Sequence, residues 1–171
     1  MSFDEWENEE WEFVLDFPDY AISNMGRICR SDTGQMIRTS TTQHGHVKVS
    51  LSLCGRRYTR SVAVLTALAF VEAPDPTCDA VIALNGNLSD LRATNLAWRT
   101  QSFAWRWANQ FKRDWPAAMF SSKIFENHSG EHYSCPAEAA HTLGLLYSDV
   151  WSSCITGRVC TPGDYVFSFV K

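Results

Sequence analysis

Trp11-Glu-Phe-Val-Leu-Asp-Phe-Pro-Asp-Tyr-Ala-Ile-Ser-Asn-Met-Gly-Arg-Ile28 is the stretch on which the fold turns. From Tyr20 onward it reads as a strand, a turn at Asn24 to Gly26 and a second strand, because Asn and Gly accept the backbone angles of a tight turn. Further on, Val47-Lys-Val-Ser-Leu-Ser-Leu53 alternates without a fault. Val47, Val49, Leu51 and Leu53 fall on one face and Lys48, Ser50 and Ser52 on the other, the pattern of a half-buried strand. Cys54-Gly55 then turns the chain into an expected partner strand, Arg56–Val62. These pieces predict a small antiparallel sheet with one polar, partly basic face.

Charge divides the chain more sharply than its total of −4 implies. Residues 1–20 hold eight acids and no Lys or Arg. Residues 27–60 hold seven bases against Asp32 alone, a balance of +6. From residue 61 on there are eight bases and ten acids. A basic module can meet phosphates even in an acidic protein. Lys48, Arg56, Arg57 and Arg60 are its candidate nucleic-acid contacts. A solvated sheet face, or pairing with the acidic head, would use the same residues. The head itself reads as a solvated arm, a screen for the basic module or a site for a basic partner.

Hydrophobic residues make up 45% of the 171 and aromatics 13%, enough to fill real cores. No run approaches the ~20 apolar residues of a membrane span. The start, Met-Ser-Phe-Asp-Glu-Trp, lacks the basic and apolar regions of a signal peptide, so a soluble protein of a reducing compartment is expected. The six cysteines include no Cys-x-x-Cys pair. That argues against a zinc site and for free, mostly buried thiols. No cofactor is implied.

The middle of the chain predicts a helix over 62–70, a break at Pro74 and Pro76, and a short strand, Ala80–Leu84. Asn85-Gly86 marks a turn. Thr100 is placed to cap a helix reaching about Arg113, with Phe103, Trp107 and Phe111 along one face. Asp114 to Phe120 reads as a linker. Beyond it come a hairpin around Asn127 to Gly130, a helix from Pro136 to Leu143, a stop at Gly144, a second helix ending at Gly157, and a final strand, Tyr165–Val170. Two short helices around a Gly turn have the shape of a helix-turn-helix. His128, Glu131 and His132 fit a surface hairpin better than a metal site.

The opening stretch, with its Trp, its Phe-Pro-x-Tyr and its Ser-Asn-x-Gly-Arg, resembles the nuclease-associated modular domain that precedes many phage-type HNH homing endonucleases. Val62-Ala-Val-Leu-Thr-Ala-Leu-Ala-Phe70 resembles the helix that follows it. Asp79-Ala-Val-Ile-Ala-Leu-Asn-Gly-Asn-Leu-Ser-Asp-Leu-Arg-Ala-Thr-Asn-Leu-Ala-Trp98 resembles the HNH core. The tail, from Cys135 through Gly157 to Phe167, resembles the helix-turn-helix repeat found behind such nucleases. Together these imply an α+β protein with a small antiparallel sheet module at 1–60, a ββα-metal (His-Me finger) HNH-like core at 61–113, a linker at 114–120, and a C-terminal hairpin plus helix-turn-helix module at 121–171.

The resemblance also implies which positions carry chemistry. Cleaving a phosphodiester takes a base to generate hydroxide and a cation to stabilise charge on the phosphate. The family's catalytic His falls on Ala83 and its metal-ligand position on Ile82; neither side chain can take a proton or bind a hard cation. Asn95 remains at the later metal position, where a loop-holding role would explain it as well. The His-Arg pair of the preceding helix is replaced by Ala63-Val64. None of the five histidines, His44, His46, His128, His132 and His141, lies near 81–95 in sequence. No metal is therefore expected.

Three functions follow. The first is an inactive HNH homing-endonuclease-like protein reused as a protein-binding or structural part of a phage or host assembly, in the virion or in the cytoplasm of an infected bacterium. Trp151 and Tyr147 are then its candidate partner contacts. The second is an inactive relative that still binds DNA, although the second tail helix brings no Lys or Arg of its own. The third is an active metal-dependent nuclease with an unorthodox base.

Overall fold

A computed structural model describes residues 9–73 and 75–170. The first eight residues of the acidic head and Pro74 lie outside the described residues. The architecture is α+β: small antiparallel sheets and four α-helices, falling into two compact units, 1–104 and 105–171.

The first unit begins with β1 (Trp11–Val14), β2 (Phe17–Ser23) and β3 (Ile28–Arg30), sheet order β1-β2-β3. A second sheet, β4-β5-β6, joins Thr39–Thr41, Val47–Leu53 and Arg56–Ser61. Cys54 and Gly55, with φ of 49° and 75°, form the left-handed two-residue turn that suits strand twist. Both sheets bury one face around Ile22, Ile28, Val49 and Leu51.

Helix α1 (Val62–Phe70) belongs to that same core, with Val62 and Leu65 packed into it. Its other side meets the hairpin of β7 (Ala80–Ala83) and β8 (Leu96–Arg99) through Ala67, Leu96 and Trp98. The Trp98 indole N–H donates to the Val71 carbonyl at 3.0 Å, tying the hairpin to the helix end. A helix covered on both sides has to be apolar all round, and α1 is. The sheet module and the HNH-like region thus share a core across the boundary placed at residue 60.

Helix α2 (Gln101–Gln110) starts at the expected cap, the Phe103 N–H reaching Thr100 Oγ1 at 3.3 Å, and ends three residues before Arg113. In the second unit, β9 (Ile124–Glu126) lies between β10 (His132–Tyr133) and β11 (Phe167–Phe169). Helices α3 (Pro136–Leu143) and α4 (Tyr147–Thr156) each end on a left-handed glycine, Gly144 and Gly157. Residues 114–120, read as a linker, pack instead into this unit: Ala117–Phe120 forms a 3-10 turn, and Met119 is fully buried among the second unit's core residues.

Candidate functional site

Ile82 and Ala83 lie at the loop end of the β7–β8 hairpin. Ala83 pairs with Leu96 and Ile82 with Ala97. Both are buried, at 2% and 3% exposure, so neither side chain reaches solvent. Beside them is a cleft of about 50 Å³ whose wall includes Ala63, Val64, Val81, Ile82, Ala83 and Leu88. Ala63 and Val64 of α1 and Ile82 and Ala83 of β7 therefore converge on one place, and they make it apolar.

Its polar wall consists of His46 and Ser61. His46 arrives because the turn before β5 lies against the loop after β7: Leu88 is the neighbour facing Gly45, and Ser89 Oγ donates to the Gly45 carbonyl at 3.4 Å. The chain thus carries one imidazole to the cleft from 37 positions away in sequence. A hard cation needs several oxygen ligands. The cleft offers no carboxylate, and among the described residues no group of three His, Cys, Asp or Glu side chains is placed to hold a metal. The residues lining the cleft do not fit a hard divalent cation.

What survives of the motif holds the loop together. Asn95, 8% exposed, accepts the Asn85 N–H on Oδ1 at 3.0 Å and donates Nδ2 to the Asp90 carbonyl at 2.9 Å. Asn85 Nδ2 donates to Asp90 Oδ2 at 2.8 Å, and Arg92 grips the same carboxylate at 2.8 and 2.6 Å. The Arg92 hydrogen bonds hold the Asp90 carboxyl below its ordinary range. Both side-chain polar atoms of Asn95 are hydrogen-bonded within the loop.

The hallmark turn of the opening stretch docks on this loop. The Ser23 hydroxyl accepts the N–H groups of Met25 and Arg27, at 3.3 and 3.0 Å, and shapes the turn. The Asn24 carbonyl accepts the Ala93 N–H at 2.7 Å. Gly26, at φ 79°, lies where a Cβ would fall 2.3 Å from the Leu91 Cβ.

The four candidate DNA contacts are all exposed but do not share a face. Register places Lys48 opposite Ser61 and Arg57 opposite Ser52, on the outward side of β5–β6. Arg56 and Arg60 pair with Leu53 and Val49, on the core side. Arg60 sits at that side's margin, its guanidinium 5.4 Å from the rings of both Phe17 and Tyr58. The outward side adds Ser40, Ser50 and Thr59, and no carboxylate occurs between residues 33 and 71.

In the second unit, Tyr147 is buried at 4% and cannot serve as the expected partner contact. Its N–H donates to the Gln110 side-chain oxygen at 2.9 Å, and its hydroxyl lies 2.6 Å from His141 Nε2. Trp151 is half-buried with its ring against Phe169, at 5.8 Å, and also belongs to the core margin. Sequence reasoning missed Gln110, a buried amide that caps the start of α4; a polar residue on an otherwise apolar helix face was the available signal. His128 Nδ1 lies 3.1 Å from the buried Glu126 carboxylate, a contact inside the β9–β10 turn.

The fold is that of an HNH homing endonuclease. It matches the solved structure of I-HmuI, described in its own study as binding and cleaving DNA, with a TM-score of 0.55 and 21% identity, covering 94% of this chain and 98% of that one. The sequence is similar to an uncharacterized HNH endonuclease of Acanthamoeba polyphaga mimivirus, 25% identical over 166 residues. That alignment takes in 95% of this chain and 48% of the viral protein, so the chain spans about half the length of the curated relative it matches. No family model matches the chain.

Proposed function

We propose that this protein is a catalytically inactive relative of the HNH homing endonucleases that binds DNA without cutting it. The observation that carries the first half is the apolar cleft: at the positions of base and metal ligand stand the buried Ala83 and Ile82. His46 supplies an imidazole near the cleft but no carboxylate accompanies it to hold a hard cation, and the metal-dependent route to phosphodiester hydrolysis uses both.

The outward side of β4–β6 supports the second half. Lys48 and Arg57 stand among hydroxyls with no acid beside them in sequence, a surface suited to backbone phosphates. I-HmuI binds DNA by its description, and the likeness carries that activity here as part of the proposal. Helix α4 contributes little, since its exposed residues, Ser148, Ile155 and Thr156, carry no positive charge.

Binding of a duplex in a gel-shift assay should weaken steeply as salt rises. The Lys48→Ala, Arg57→Ala double variant should flatten the slope of log affinity against log salt by about 2, roughly one per lost phosphate contact. Arg60→Ala should change the slope less, because its guanidinium is engaged with two rings. Absence of binding at low salt, or an unchanged slope in the double variant, refutes the DNA reading.

A second reading, a protein-binding component of a larger assembly, is favoured by a different surface on the first sheet.

A further inference from the structure

A three-stranded sheet with one buried face ordinarily shows water a polar one. The sheet β1-β2-β3 does not. Its core face holds Ile22 and Ile28. The opposite face carries Trp11 and Phe13 on β1, Ala21 on β2 and Cys29 on β3, with Met36 bridged to Cys29. Phe13 is 69% exposed and Met36 49%. Trp11, Phe13, Ala21 and Cys29 border an open depression of about 230 Å³, whose rim also includes Glu12, Arg30 and Ser31.

Two further features lie with that face. First, β1 is an edge strand, and among the described residues no backbone group pairs with its outer side. Such an edge is a template for another strand. Second, the surroundings are acidic: residues 9–34 carry Glu9, Glu10, Glu12, Asp16, Asp19 and Asp32 against Arg27 and Arg30. Arg27 is ion-paired with Glu9 and lies 5.8 Å from the Trp11 ring, and Arg30 lies over the Tyr20 ring, so the acids outnumber the cations around this face without removing them.

We infer that β1 accepts an extended peptide segment of a partner protein as an added strand, and that this segment alternates apolar and basic side chains. The alternation follows from β1 itself. An added strand places every second side chain beside Trp11 and Phe13, where apolar groups are favoured, and the others beside Glu12, where a cation is. Backbone pairing at the free edge supplies affinity, and the two faces of β1 supply selectivity. This surface lies on a different sheet from Lys48 and Arg57, so it stands or falls apart from DNA binding.

The test uses the full chain and a dye-labelled decapeptide of alternating Lys and Val, read by fluorescence anisotropy. A peptide of alternating Glu and Val is the control. Saturable binding of the first and not the second is expected. Phe13→Ser, at a solvent-exposed position, should weaken binding roughly tenfold or more while leaving the gel-shift affinity for DNA unchanged. Lys48→Ala should leave peptide binding unchanged. The inference is overturned if the Lys-Val peptide does not bind, if Phe13→Ser binds it equally, or if the Glu-Val peptide binds as well. It is also overturned if light scattering shows a dimer that Phe13→Ser abolishes, which would make a second copy of the chain the occupant.

Discussion

Gly26→Ala should unfold the first unit at temperatures where the parent chain is intact. Gly26 holds a φ of 79°, which costs a residue with a Cβ about 1–2 kcal/mol. The new Cβ would also stand 2.3 Å from the Leu91 Cβ and 3.2 Å from the Leu91 carbonyl oxygen. Neither atom is the far end of a flexible side chain, so relief requires the loop to move. That loop is fastened: the Ala93 N–H is bonded to the Asn24 carbonyl, and Asn95 and Arg92 lock Asp90 and Asn85. Overpacking of this kind costs about 1–3 kcal/mol. The two effects together come to about 3 kcal/mol, which for a unit of this size lowers the melting temperature by more than about 10 °C. Circular dichroism melts of the two proteins measure it, and a drop below about 3 °C would show that the turn and the loop are not in contact as described.

Glu126→Gln should have a comparable effect on the second unit, and one that depends on pH. The Glu126 carboxylate is 3% exposed. It accepts the N–H groups of Ser129 at 2.6 Å, His128 at 3.0 Å and Val166 at 3.2 Å, and so joins the β9–β10 turn to the residue that leads into β11. Burial pushes its pKa up, but the backbone donors of Ser129, Val166 and His128 outweigh burial and hold it at about 2. A neutral amide offers one acceptor oxygen in place of two and brings an N–H₂ into a cluster of donors. Buried donors left without acceptors cost about 1–3 kcal/mol each, so a loss of about 3 kcal/mol is expected near neutral pH. The folded pKa lies below the unfolded value of about 4.5. The stabilisation is therefore complete above that value and is lost as pH falls from about 4.5 towards 2. Denaturant melts at neutral pH and near pH 2 should show the parent and variant far apart in the first case and close together in the second. A difference that stays constant across this range would mean that the carboxylate charge is not what the turn binds.

How far the sequence disclosed this fold depended on whether the relevant signal was local. β5 was legible because its buried face imposes strict alternation, and α3 and α4 because Pro136, Gly144 and Gly157 punctuate them. β4 was not, since Thr39, Ser40 and Thr41 are all exposed and carry no hydrophobic rhythm. The burial of Met119 and the capping role of Gln110 depend on contacts that no local pattern announces. The same division holds for the candidate site. Ile82, Ala83, Ala63 and Val64 stand where the resemblance places motif residues, so the proposed loss of base and metal ligand could be framed from sequence. Their convergence on one cleft needed the packing of α1 against β7. His46 reaches that cleft only because Gly45 and Leu88 face each other across two loops, a tertiary fact. The four basic candidates are exposed, but strand register splits Lys48 and Arg57 from Arg56 and Arg60 in a way that their spacing alone did not separate.

The surviving residues also acquire a clearer role. Asn95 and the Asn85-Gly86 turn look like remnants of a catalytic motif, yet their hydrogen bonds are those of a loop scaffold. Such a scaffold serves the stability of the loop whether or not the site performs chemistry, because function resides in the site and not in the fold.

Loss of cleavage is the central claim, and one assay addresses it directly: supercoiled plasmid incubated with the purified full chain and excess magnesium or manganese, followed on an agarose gel. The plasmid should remain supercoiled at every protein concentration, as in the protein-free control. Nicked or linear DNA that increases with protein and disappears in the His46→Ala variant would contradict the claim, and would make His46 the base of an active nuclease.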